Sequence, residues 1–500
     1  MKKCYTIVVA IIIVFILLSC GRKVEMDQNE HLMVRIGDQE ISIHEHIKRA
    51  EYTIRPPYCR SDNMTHRKIV LNSIIAEKLL ALEAGDDNEL MQLESFQNFI
   101  RGHKEQAMRQ VLFQKVAYEK VELDTSEIKQ VYKLAGRTYK VDFINVSDSS
   151  LASRIRADVQ AGKGTFREVA ADYFGTDKIP TREVSWQSPE NPEVHNALFS
   201  QPLKKGKLIG LVISSDGSAL LMHVADWINR PVITDKDIQQ RWSDVKEKLM
   251  DKHAQQLYSQ YIGQVMKGKK VDFDRGTFIK LTEALAPFYL KQQEQKQQLL
   301  QDNLRNQDLT RDLEMGNISD IKEQPLLNID GQVWTVGDFL QEVRLHPLVF
   351  QKRKYSEKEF PAQFHLAILN LIEDKYLTRE AYKKGYDKSK PVVNNTNMWQ
   401  DHFGAMYQRD AYLKSLGIKL TGENYMQVIE EHLNPYIDSL QAKYGERIEV
   451  NTDAFDETKL TRVDLHVVLQ GMPFPDVVPQ FPLVTSDTKL DYGKKMEKLY

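Results

Sequence analysis

Two parts of this 500-residue chain repeat each other, and a duplication limits the possible folds more than any composition does. Val34-Arg35-Ile36-Gly37-Asp38-Gln39-Glu40-Ile41-Ser42-Ile43 alternates apolar and polar residues around a turn and predicts a short β-hairpin. Leu327-Asn328-Ile329-Asp330-Gly331-Gln332-Val333-Trp334-Thr335-Val336 has the same pattern 293 residues later. The segments Ile74–Ala84 and Leu371–Ala381 match at an offset of 297, with five of eleven pairs identical. A hairpin and a helix recurring together predict two copies of one module, in which Leu80 and Leu377 are equivalent core positions.

Between and beyond the copies the pattern is mostly helical. From Arg67, the residues Val70, Leu71, Ile74, Ile75, Leu79, Leu80 and Leu82 recur at three and four, which predicts a buried amphipathic helix ending near Gly85. Residues 96–121 continue that period, and Asp124-Thr125-Ser126-Glu127 reads as the cap of another helix. Thr234-Asp235-Lys236-Asp237 precedes a long amphipathic helix through Val265. The glutamine-rich stretch Lys291 to Asp308 reads as an exposed helical connector, and Gly316 to Gln324 as a hinge. Val463 to Leu469 is strand-like, and Gly471-Met472-Pro473-Phe474-Pro475 is punctuated by proline and reads as irregular.

A charged content of 28% and a mean hydropathy of −0.47 exclude a polytopic membrane protein. With 68 basic and 70 acidic residues there is no nucleic-acid footprint, so no nucleic-acid partner is expected. Residues 1–19 read as a signal peptide: Lys2 and Lys3 precede an apolar run from Ile7 to Leu18 that is too short to span a bilayer comfortably. Leu17-Leu18-Ser19-Cys20-Gly21 resembles the bacterial lipobox, which makes Cys20 the expected lipidation site and a periplasm-facing membrane the expected location. Gly21 is not the aspartate that retains some lipoproteins at the inner membrane, so the outer membrane is expected in preference. Cys4 would leave with the signal and Cys20 would be acylated, so Cys59 has no partner for an internal disulfide. There is no CxxC, HExxH or GxSxG. His44-Glu45-His46 offers two imidazoles without a third ligand nearby and reads as a solvated strand end. No metal and no cofactor are expected.

A hairpin followed by Leu-Ile-x-x-Lys-x-Leu-x-x-Glu-Ala resembles the N-terminal chaperone domain of SurA-like and PrsA-like periplasmic folding factors. In that family a parvulin-type (PpiC-type) peptidyl-prolyl isomerase domain follows, and residues 137–230 resemble its outline. Tyr139 to Val146 fits its first strand. Ala152, Ile155, Val159, Gly162, Phe166, Val169 and Ala170 fit its helical signature, with one extra residue between Gly162 and Phe166. Ala197 to Gly206 fits the approach to the last two strands, and Leu220 to Trp227 the last strand. The resemblance also implies that the long helix after Thr234 returns to complete the first chaperone domain.

The catalytic set of that family departs from its pattern here. Phe143 stands where the first-strand histidine is expected, Ala219 or Ser218 where the last-strand histidine is, and Glu190 and Val194 where the pocket Met and Phe are. Thr181-Arg182-Glu183-Val184-Ser185-Trp186 replaces the Gly-Gly-Asp-Leu-Gly-Trp loop. His223 is the remaining histidine on the last strand. The imide rotation barrier of roughly 18–20 kcal/mol needs a specific polar pocket to lower it, so little or no isomerase activity is expected.

The expected fold class is mainly α with α+β, helical chaperone modules each with a small hairpin flanking a parvulin-like α+β domain. The expected division is signal peptide 1–19, lipidated spacer 20–31, first module 32–136, degenerate parvulin-like domain 137–230, long helices and connector 231–324, second module 325–455 and tail 456–500. The expected function is a lipid-anchored chaperone whose partners are unfolded or extended segments of exported or outer-membrane proteins, and the alternative is an active peptidyl-prolyl isomerase. Oligomeric state is not legible in the sequence.

Overall fold

The computed structural model describes residues 32–146, 149–176, 178–213, 219–302, 318–352, 354–461 and 465–496. The expected signal segment, Cys20, the spacer, Ser218 and residues 303–317 of the expected connector and hinge lie outside the described residues. The architecture is mixed α+β, mainly helical with three small sheets. The chain divides into two compact units, one of residues 113–267 and 350–355 and one of residues 32–112, 268–349 and 356–496.

The first hairpin joins β1 (Leu32–Ile36) to β2 (Gln39–Ser42) through Gly37, whose φ of +58° suits a residue without Cβ. The Ser42 hydroxyl accepts from the Glu45 N–H at 3.0 Å and starts α1 (Ile43–Glu51). His44 and His46 therefore sit in the first turn of a helix and not on a solvated strand end. His46 is buried, and that burial lowers its imidazole to about 4. Helix α2 (Met64–Ala84) stops at Gly85, which has φ +66° and donates its N–H to the Ala81 carbonyl. Ile69, Val70, Leu71, Ile74, Ile75, Ala76, Leu79 and Leu80 are all buried, so α2 is core on every side where an amphipathic helix was expected. Helix α3 (Glu94–Val116) follows.

In the unit of residues 113–267, Asp124 caps α4 (Thr125–Ala135) as expected, accepting from the Ser126 N–H at 2.8 Å. Then come β3 (Arg137–Asn145), α5 (Ser149–Gln160), α6 (Phe166–Phe174), β4 (Thr181–Ser185), α7 (Pro192–Phe199), β5 (Leu208–Ile213) and β6 (Ala219–Asn229). The antiparallel sheet has the order β4-β3-β6-β5. One face carries Tyr139, Val141, Val184, Val194, Leu198 and Met222, and the other Ile144, Ile155, Phe166, Val169 and Leu221. Helix α8 (Asp235–Val265) lays Val245 and Leu249 on Ile128 and Val131 of α4, and Ala254 on Ala117 and Tyr118. Val245, Leu249 and Ala254 are thus covered within its own unit, and the third strand of the first hairpin comes from another segment.

The second hairpin belongs to a three-stranded sheet of β7 (Val271–Phe273), β8 (Pro325–Ile329) and β9 (Gln332–Thr335), with α9 (Arg275–Asp302) between β7 and β8. Asp330 at φ +51° and Gly331 at φ +80° make the turn, the left-handed pair that two-residue hairpins favour. Thr335 and Asp338 form a capping box that starts α10 (Val336–Leu345), and α11 (Phe360–Lys383) and α12 (Lys390–Ser415) follow. In the expected hinge, Ile318 and Ile321 are buried, which packs that stretch down.

After α13 (Asn434–Tyr444), β10 (Ile448–Val450) pairs with β1. The pairings Ile448↔Ile36 and Val450↔Val34 match Val271↔Ile329 and Phe273↔Leu327 in the second hairpin. The next residue repeats too: the Asn451 N–H donates to the Met33 carbonyl and the Asp274 N–H to the Leu326 carbonyl, both at 2.9 Å. Each hairpin thus gains an equivalent third strand, from the far end of the chain in one copy and from just upstream in the other. Short α14 (Thr452–Glu457) and β11 (Lys494–Lys495) follow. Leu460, Phe481 and Val484 enter the core of α2 and β1, while Arg49, Arg55 and Arg67 donate to the carbonyls of Pro479, Thr461 and Phe455. Irregular backbone and the last turn of a short helix leave carbonyls without partners in the chain's own ladder, and buried arginines supply them here. Residues 465–469 of the expected strand give only one bridge, Val468↔Asp476, and 462–464 lie outside the described residues.

Candidate functional site

The sheet of the unit of residues 113–267 carries the residues that the family resemblance singles out. Phe143 is half-buried on β3, with the Arg182 guanidinium 5.0 Å from its ring. The same Arg182 donates to the Glu190 carboxylate at 2.6 Å. Glu190 is therefore matched by a cation, which offsets the cost of desolvating its carboxylate. Val194 is buried in the core of that face. Met222, on β6, stands directly across from Phe143. Ala219 begins β6 opposite Ile213, three residues before Met222, so it is not Phe143's partner. On the face that Phe143 occupies, the residues paired across the two strands are Phe143 and Met222, both apolar.

His223 lies across from Asp142, the next residue along β3. Its Nδ1 is 3.4 Å from Asp142 Oδ2, and its ring stacks on Phe166 at 5.3 Å. The Asp142 carboxylate is almost fully enclosed. It accepts from Arg167 Nη2 at 2.5 Å, Arg167 Nε at 3.1 Å and the Thr181 hydroxyl at 2.6 Å. Burial would raise its pKa, but the Arg167 and Thr181 hydrogen bonds outweigh that and hold it below the usual range. A carboxylate that accepts from a bidentate arginine and a hydroxyl ties α6 to β3 and β4. The sequence signal for it was a lone acid in the alternation of β3, two residues before inward-facing Ile144.

A second polar cluster fixes α8 against α7. The Lys248 ammonium donates to the Trp186 carbonyl at 2.6 Å, lies 2.9 Å from His195 Nε2 and sits 5.0 Å from the Trp186 ring. Burial lowers Lys248 to about 8, and burial with the neighbouring Lys248 lowers His195 to about 3. Trp186, an aromatic that the resemblance marks as retained, thus serves as an anchor for the long helix.

The unit of residues 32–112, 268–349 and 356–496 carries two open surface depressions. An open depression of about 510 Å³ is lined by Met91, Phe96, Ile100 and Tyr382 with Arg101 and Lys104. A second, of about 730 Å³, lies along Asp87–Leu93 and Tyr407. Among the described residues no group of three or more His, Cys, Asp or Glu could hold a metal, and no helix is long and apolar enough to cross a membrane. Cys20 lies outside the described residues. No protein-family model matches the chain, and no curated protein matches it significantly.

Proposed function

We propose that this protein is a lipid-anchored periplasmic chaperone, held by Cys20 at the outer membrane in preference to the inner, that binds extended segments of unfolded exported or outer-membrane proteins. In this reading, residues 137–230 are a parvulin-like domain without catalysis. The observation that carries it is the pairing of Phe143 with Met222, which leaves an apolar strand pair where an isomerase of that family needs polar residues. The element order of residues 137–229, strand-helix-helix-strand-helix-strand-strand, supports the domain resemblance, and the matched third strands support two copies of one module. The isomerase alternative draws on the His223–Asp142 contact, yet Arg167 and Thr181 already hold that carboxylate.

The test is a proline-peptide exchange assay beside an aggregation assay with an unfolded outer-membrane protein on the same sample. Suppression of aggregation with no acceleration of exchange is expected. An exchange rate comparable to an active parvulin, lost in His223→Ala, would instead establish the enzyme. Cys20→Ala should move the protein from the membrane to the soluble fraction, since stable anchoring takes more than one acyl chain. Unchanged partitioning would remove the lipoprotein claim.

A further inference from the structure

Residues 468–476 form a small excursion closed on itself. Val468 pairs with Asp476, the Leu469 N–H donates to the Pro475 carbonyl at 2.7 Å, and His466 lies 3.1 Å from the Asp476 carboxylate. Between 468 and 477 only Pro473 and Phe474 are buried; Val468 and Met472 are exposed. The tip of the excursion is therefore the part set into the body.

The way this tip is held is that of peptide recognition. The Gln106 side-chain amide takes both backbone groups of Phe474, accepting from its N–H at 2.9 Å and donating to its carbonyl at 2.7 Å. A neighbouring strand reads a peptide through the same two groups, without regard to its side chain. The ring enters an aromatic seat, 4.3 Å from His103 and 5.6 Å edge-on from Phe99, with the Trp399 ring tilted at 4.0 Å from His103. Gly102 makes room for it: a Cβ there would stand 2.4 Å from Phe474 Cζ. The flanking Pro473 and Pro475 fix φ and carry no N–H, so the segment stays extended and leaves the Phe474 amide as the donor to be read.

We propose that the seat formed by Phe99, Gly102, His103, Gln106 and Trp399 is a recognition site for extended segments bearing an aromatic side chain next to proline, and that Phe474 occupies it as an exchangeable self-ligand. The inference rests on the chaperone reading for its class of client. A tethered segment competes at an effective concentration of the order of millimolar, so a free peptide enters well only when Phe474 is gone.

The probe is a fluorescein-labelled peptide, Gly-Met-Pro-Phe-Pro-Asp, titrated into the full chain by anisotropy. Phe474→Ala should bind it at least about tenfold more tightly than the unaltered chain, because the tethered competitor is removed. The double variant Phe474→Ala, Gln106→Ala should lose that gain, as should a peptide with Ala for Phe. Equal binding by the unaltered chain and Phe474→Ala, or a gain that survives the loss of Gln106, overturns the proposal. Should Phe474→Ala not fold, millimolar peptide added to the unaltered chain should speed hydrogen exchange at the Phe474 amide, and unchanged protection overturns the proposal. Aggregation suppression measured on the same samples separates the two claims. Tight peptide binding without suppression keeps the site and removes the chaperone reading, whereas suppression without peptide binding does the reverse.

Discussion

Glu77 and Asp374 occupy matching positions in the two repeated helices, and each carboxylate is gripped by an arginine and a histidine, one from its own copy and one from the other. Glu77 takes Arg49, from the last turn of α1, at 2.5 Å and His402, from α12, at 2.8 Å. Asp374 takes His346, which ends α10, at 2.6 Å and Arg109, from α3, at 3.4 Å. Arginine and histidine have exchanged places between the copies. The third helix of each copy therefore serves the other copy, which interlocks the two modules.

Removing one partner from such a buried pair leaves an uncompensated charge. Glu77→Gln strands Arg49, which is fully buried, and should cost about 3–5 kcal/mol in urea unfolding. Asp374→Asn should cost less, because Asp374 is 29% exposed and water can reach the guanidinium it releases. Burial would raise the Glu77 pKa, but Arg49 and then His402 outweigh it, so the carboxyl titrates below its ordinary value of 4.5. A depressed folded pKa contributes stability that is complete above about 4.5 and is lost as the pH falls below it. Glu77→Gln should flatten that acid limb.

Leu80 and Leu377 are 0% and 2% exposed. Each should lose about 2–5 kcal/mol on change to Ala, by lost transfer energy and the cavity left behind. Denaturant midpoints at unchanged slope are the measure, and a loss below about 1 kcal/mol at either site would break their equivalence.

Asn451 and Asp274 each end a third strand and begin a helix, accepting from Ala454 N–H at 3.0 Å and Thr277 N–H at 2.8 Å. Changing either to Ala removes the side-chain cap but keeps the backbone bond to the hairpin, and Asn451 also loses its Nδ2 donation to the Leu32 carbonyl at 3.0 Å. Losses of about 1 kcal/mol each are expected, additive in the double variant because the two sites share no partner.

His103 and His195 are held uncharged by burial, each lowered to about 3, while an unfolded histidine titrates near 6.5. The unfolded chain therefore binds more protons between those values. Stability is complete above about 6.5 and falls as the pH drops toward 3. Melting temperature should fall between pH 7.5 and 5, and His103→Phe should reduce that fall. An unchanged slope would mean that His103 is charged in the folded protein.

The sequence by itself determined the local structure: both hairpins from their alternation and turn residues, the end of α2 from Gly85, the start of α4 from Asp124, and the repeat from its spacing. These are legible because alternation, caps and positive φ act within a few residues. Tertiary structure decided the rest. Strands of three residues such as β7 and β10 have no period to read, and their partners are set by where half-buried Phe273 and buried Ile448 can pack. The reach of α3 and α12 into the other copy rests on contacts between residues hundreds of positions apart, such as Arg109 with Asp374 and His402 with Glu77. The residue across from Phe143 was likewise a matter of register: a shift of three places along β6 replaces Ala219 by Met222, and only the paired strands fix that shift.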